Sequence, residues 1–182
     1  MAITVENGTG LTNSDSYISV ADADSYIALY MRNSSTWTDL STANKELYLK
    51  EATQALDVLY ARRWVGTRLK ELQALAFPRE GAYDQDGFSI DATTVPTRVK
   101  NATVEMAWRT LNVGGVDTTT GDSTSLIPDR VAGGNIAEED VQAGSVRSKT
   151  TYVGGKTSTK YFKKVELLLT GYVKPRGAIE RA

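Results

Sequence analysis

Two short stretches carry residue types that could do chemistry, and spacing decides what each can be. Gly154-Gly155-Lys156-Thr157-Ser158 has the glycines, lysine and hydroxyls that close a phosphate-binding loop. Such a loop also needs a glycine five positions before Gly155, a buried strand ahead of it and a helix behind it, so that backbone amides wrap the phosphates. Position 150 is Thr150, and the run from Lys156 to Phe162 is strand-like in its Thr and Tyr content. The glycine pair therefore predicts a hairpin turn in place of a nucleotide site. Asp84-Gln85-Asp86-Gly87 opens like a calcium loop, but Ser89 and Val95 stand where that loop needs Gly and Glu. An Asp-rich turn is the expectation there.

The residues that are missing narrow the chemistry further. The 182 residues include no cysteine and no histidine, which removes thiol nucleophiles, Cys-type metal sites and the commonest general acid and base. Neither an enzyme nor a bound cofactor or metal is expected. No window approaches the roughly 18 apolar residues of a membrane span, and Met1-Ala2-Ile3-Thr4-Val5-Glu6 lacks the basic and apolar regions of a signal peptide, so a cytoplasmic or particle-borne protein is expected. The net charge of −1 is unevenly spread. Residues 1–140 hold 20 acids and 12 bases, and residues 141–182 hold 2 acids and 9 bases. A basic C-terminal quarter on an acidic body suits contact with an anionic partner.

The elements that must position these residues follow from pattern. Residues 1–15, with Asn7, Gly8, Gly10 and Asn13, predict a loose arm. A helical core over 16–111 begins with a helix N-capped by Ser19, with Asp22 three residues on, running to about Met31 and broken by Asn33-Ser34-Ser35-Thr36. A second helix from about Thr42 to Arg63 carries Leu49, Ala52, Leu56, Leu59 and Arg63 at helical spacing. Leu72 to Arg79 is a short apolar turn ended by Pro78, and 82–94 is loop. A third helix from Pro96 to about Leu111 is apolar on two sides, which predicts burial in the centre of the domain or between subunits. A long polar loop spans 112–143, a β-hairpin 144–162, a C-terminal helix 161–171 stopped by Gly171, and a basic tail 172–182. The fold class is mainly α, a small bundle of about four helices with a hairpin appendage and extended termini.

Four segments together resemble a family of small tailed-phage proteins. They are Ser16-Tyr17-Ile18-Ser19-Val20-Ala21-Asp22-Ala23-Asp24-Ser25-Tyr26, Ala74-Leu75-Ala76-Phe77-Pro78-Arg79, Val95-Pro96-Thr97-Arg98-Val99-Lys100-Asn101-Ala102-Thr103-Val104-Glu105-Met106-Ala107, and Ser145-Val146-Arg147-Ser148-Lys149. That family is also labelled primosomal and single-strand-binding-like, and its better-understood relatives are head–tail connector adaptors. The resemblance implies a structural virion protein, a homo-oligomeric ring of about twelve copies at the head–tail interface after assembly in the host cytoplasm. Its partners would be the portal protein and tail or nozzle proteins, with DNA passing through the channel unread. It places portal contact on Tyr172, Lys174, Arg176 and Arg181, and subunit or tail contact on Arg147, Lys149, Gly154, Gly155, Lys156, Lys160, Lys163 and Lys164. The second reading is a single-stranded-DNA-binding replication accessory protein, in which Tyr152, Tyr161 and Phe162 interleave with Lys156, Lys160, Lys163 and Lys164. Against it, Tyr161 and Phe162 fall on the apolar face of the last helix, and the acidic body repels a phosphate backbone.

Overall fold

A computed structural model describes residues 2–32, 34–84, 86–113, 136–139, 150–152 and 163–174. Five helices dominate: α1 (Val20–Tyr30), α2 (Ser35–Thr38), α3 (Thr42–Tyr60), α4 (Thr97–Val113) and α5 (Lys163–Leu168). Two-residue strands β1 (Thr67–Arg68) and β2 (Arg79–Glu80) pair antiparallel between α3 and α4. Strands β3 (Ile136–Glu139) and β4 (Thr150–Tyr152) form a second antiparallel pair. The mainly helical class with a two-stranded β appendage is therefore as the sequence predicts. The chain divides into two compact units, one built from 1–114 and 162–182, the other from 115–161.

Local chemistry sets the helix ends in the larger unit. Ser19 Oγ accepts from the Asp22 amide at 3.1 Å and donates to the Asp22 carboxylate at 2.8 Å, so one side chain caps α1 and fixes the acid that favours its positive end. Ser41 caps α3 in the same way through the Asn44 amide. α3 ends at Tyr60, three residues short of the predicted Arg63, because the backbone there is recruited elsewhere. Lys174 donates its amide to the Arg63 carbonyl at 2.6 Å, Arg63 Nε donates to the Lys174 carbonyl at 2.8 Å, and Trp64 bridges Val173. Ser35–Thr38, read from the sequence as a break, forms one helical turn. Trp37 is fully buried there and its indole donates to Asp24 at 2.6 Å, a tertiary anchor that overrides weak local propensity.

α4 is the central helix, packed against α1, α2, α3 and α5. Residues 102–107 are all buried, with Val99 and Thr110 extending the burial along the helix. A helix enclosed on every side needs apolar residues all round, which is the two-faced pattern of the sequence. Leu49, Leu56, Ile27, Val165 and Leu169 close the core around it. Gly171, at φ +90°, ends the last turn after α5 in the left-handed conformation that glycine adopts without a Cβ penalty.

Residues 1–15 depart from the loose arm expected. Glu6 is 2% exposed, and its carboxylate accepts from the amides of Gly8, Gly10 and Leu11 and from Ser14 Oγ at 2.9–3.0 Å. Thr4 and Asp15 bond each other through backbone and side chain, which draws the two ends of the loop together. Gly8 lies so close to the Thr93 carbonyl that a Cβ would sit 1.8 Å from its oxygen. An acid gathering four donors makes a closed loop from a segment whose composition reads as disordered.

Within the smaller unit, Glu139 pairs with Thr150, Glu138 with Thr151 and Ile136 with Tyr152. The expected 144–162 hairpin turned at Gly154-Gly155, whereas the described partner of Thr150–Tyr152 lies upstream, inside the stretch read as loop. Ala and Glu are weak strand formers, so β3 left no pattern to find. The Gly-Gly turn and the return strand lie outside the described residues. Among the described residues no helix is long and apolar enough to cross a membrane.

Candidate functional site

Two of the segments that carry the family resemblance, 16–26 and 74–79, meet α3 in one buried network. Tyr17, fully buried, donates its hydroxyl to Asp57 Oδ1 at 2.5 Å and accepts from the Phe77 amide at 3.2 Å, while Asp57 Oδ2 accepts from the Ala76 amide at 2.8 Å. Arg79 then donates to the carbonyls of Val65 (2.6 Å), Gly66 (2.6 Å) and Ala76 (3.1 Å). Phe77 packs edge-on to Tyr17 and Trp64, and its bond to Pro78 is cis. Burial raises the Asp57 carboxyl to about 6, against the hydrogen bonds from Tyr17 and Ala76 that favour its charged form. Burial and the neighbouring Asp57 charge push the Tyr17 phenol well above its ordinary value. These bonds tie α3 to the 16–18 and 74–79 segments, and their part is structural.

A different constellation is open to solvent. A cavity of about 540 Å³ is bounded by the 84–91 turn, the start of α4 and Tyr172. The turn is built by Asp84, whose Oδ1 accepts from the Asp86 and Phe88 amides at 3.0 and 2.9 Å, while Ile90 N–H reaches the Ala82 carbonyl and Gly87 takes φ +86°. This is the Asp-rich turn the sequence predicts, and it holds Tyr83 and Phe88 outward, 60% and 72% exposed. Asp91 turns the chain through Thr93 N–H and Oγ1, bonds that hold its carboxyl below the usual carboxylate range. Val95 is buried and Pro96 stands immediately before α4, so the helix begins at the cavity wall. Arg98 and Lys100 project from that first turn into the lining. Neither makes an ion pair among the described residues, and the positive end of a 17-residue helix adds to their field. Tyr172 completes the wall, its amide bonded to the Leu169 carbonyl and its carbonyl to the Val65 amide.

Four of the twelve basic, glycine and tyrosine positions singled out from the sequence are described. Lys164 pairs with Glu105, a carboxylate 2% exposed that also accepts from Tyr26 OH at 2.9 Å, so it serves the core. Lys163 is exposed on α5, Lys174 is half-buried with its backbone bonded to Arg63, and Tyr172 lines the cavity. Arg147, Lys149, Gly154, Gly155, Lys156, Lys160, Arg176 and Arg181 lie outside the described residues. Sequence reading passed over Tyr83, Phe88, Arg98 and Lys100. The signal was there in two aromatics flanking an Asp-Gly turn, with Arg-x-Lys opening the next helix. No group of three or more acids that could hold a metal occurs among the described residues.

A family model matches the chain over residues 1–182, and its description concerns binding of single-stranded DNA, with no reference to virions. No curated protein and no solved structure matches. The reading as a virion head-to-tail adaptor and dodecameric portal-binding connector is thereby overturned in favour of the second reading. The physical reason lies in what carried that reading. Tyr17, Phe77, Arg79, Val99, Ala102 and Met106 hold the fold together, and shared fold-forming residues do not transmit a role. The chain belongs to the family described as "Putative DnaT-like ssDNA binding protein".

Proposed function

We propose that this protein binds single-stranded DNA as a replication accessory factor, and that the cavity beside the α4 N-terminus is a nucleotide subsite. The observation that carries the reading is the company Arg98 and Lys100 keep: two cations with no ion pair among the described residues and Tyr172 on one cavity wall, beside a turn that holds Tyr83 and Phe88 in solvent. Single-strand binders combine cations that track the backbone with aromatic faces on which bases stack, and each stacked base is worth about 1–3 kcal/mol. The cavity is several times the size of a base, and its lining is mixed. Arg98, Lys100 and the helix start favour phosphate, while Asp84 and Asp91 oppose a bare anion and can accept from base N–H groups. That mixture fits a nucleotide held by both its parts. Membership of the family supports the same reading.

The test is fluorescence anisotropy with a labelled single strand at two salt concentrations, for the parent chain and for Phe88→Ala and the Arg98→Glu/Lys100→Glu pair. Phe88 and Arg98 are exposed and Lys100 is half-buried, so circular dichroism checks that each variant is folded before binding is read. Micromolar binding that falls steeply with salt is expected, weakened by both changes. Parent-like affinity in both variants would move the site elsewhere, and no binding by the parent chain at low salt would end the proposal.

A further inference from the structure

A second cleft, of about 570 Å³, is lined by Asp15, Leu47, Lys50, Glu51, Gln54, Asp57, Val58, Ala74 and Leu75. Its floor and one wall are α3. Leu47, Glu51, Gln54 and Val58 recur at steps of four, three and four residues, which places them in one row about 17 Å long. Leu47 and Val58 are 63% and 53% exposed, a cost for two aliphatic side chains on an otherwise polar helix face. Ala74 and Leu75 form the opposing wall. The charges in the cleft are unbalanced: Asp15, Glu51 and Asp57 face a single ammonium, Lys50, which Asp15 engages at 2.9 Å. Asp57 uses one lone pair on each oxygen, toward Tyr17 and Ala76, so acceptor capacity remains on both.

We infer that this cleft receives an amphipathic helix of a protein partner, which lays leucine-type residues along Leu47, Val58 and Ala74 and directs a lysine or arginine toward Glu51 and Asp57. Exposed aliphatic side chains at the two ends of the row, with Glu51 and Gln54 between them and a net negative lining, suit a polypeptide with apolar residues at helical spacing and a cationic flank. The row's length corresponds to about three helical turns. A small amine would fill one end and leave most of the row uncovered. The site is separate from the nucleotide subsite and does not depend on it.

The experiment uses the full chain, labelled with ¹⁵N, and an acetylated 14-residue peptide with Leu at i, i+3, i+4 and i+7 and Lys elsewhere. A counterpart with Glu in place of Lys, and hexylammonium chloride, are the comparison ligands. The Lys peptide is expected to shift amides of 47–58 and 74–76, with Glu51→Lys weakening it at least tenfold and Asp39→Lys, on an exposed site away from the cleft, changing it less than twofold. Leu47→Ala with Val58→Ala, both exposed and harmless to the fold, should weaken it as well. Equal binding of the Glu peptide, shifts confined to other surfaces, or equal effects of Asp39→Lys and Glu51→Lys would overturn the inference. So would hexylammonium reproducing the shifts where the peptide does not, or concentration-dependent broadening of 47–58 without peptide, which would identify a second copy as the occupant.

Discussion

Replacing Asp57 by Asn removes a charge that the fold buries at a cost. The carboxyl titrates at about 6 in the native protein, against an ordinary value of 3.8. Between those values the native state holds a proton that the unfolded chain has released, so stability falls as pH rises through the window and levels off above about 6. Linkage over that interval gives about 2 kcal/mol of stability lost from this one group between pH 4.5 and 7.5. In Asp57→Asn the contribution disappears, while the other titrating groups of the chain are the same in both proteins. The amide's imperfect match to Tyr17 OH and the Ala76 amide costs the same at either pH and cancels. Urea unfolding of both proteins at pH 4.5 and 7.5, on either side of the isoelectric point near 5.6, isolates the term. The stability of the parent relative to the variant should be about 2 kcal/mol greater at pH 4.5. A difference that is flat with pH, or larger at pH 7.5, would refute burial as the dominant influence on Asp57.

Other outcomes follow from single contacts. Arg98→Glu/Lys100→Glu should flatten the log–log salt dependence of single-strand binding by about 1.4, the slope expected for two lost phosphate contacts, as read from a salt titration of anisotropy. Glu6→Ala strands three amides and a hydroxyl in a closed loop and should cost about 3 kcal/mol, a drop of roughly 10 °C in thermal melting. Gly66→Ala brings a Cβ to 2.4 Å from the Glu80 carbonyl at φ +66°, so urea unfolding should show a loss above about 2 kcal/mol. Lys164→Ala leaves Glu105 buried with Tyr26 OH as its one remaining partner among the described residues; differential scanning calorimetry should show a loss of about 1–2 kcal/mol relative to the parent.

Periodicity and capping chemistry were enough to find α1, α3 and α4, because Ser19 and the apolar rows of Leu49–Leu56 and Val99–Met106 act locally. Where a distant partner decides, the local pattern is silent. α3 stops early for Lys174, α2 exists for Trp37, and the N-terminal loop exists for one carboxylate whose partners are spread over seven residues. The open cavity beside α4 was illegible for a similar reason. Its cations and aromatics come from a turn, a helix start and a residue more than seventy positions later, and only the folded chain sets Tyr172 beside Arg98. The adaptor reading failed at another level: residues that specify a core were taken to specify a job.

The division of the larger unit into 1–114 and 162–182 also sets a timetable for its biogenesis. Val165 and Leu169 cover faces of α4 that are made some sixty residues earlier, and Val173 bridges Trp64, made more than a hundred residues earlier. At ribosomal rates of about 5–20 residues per second, those faces stand uncovered for roughly 3–12 s. The nascent body thus keeps an apolar surface open to water until residues 163–174 are made and close it.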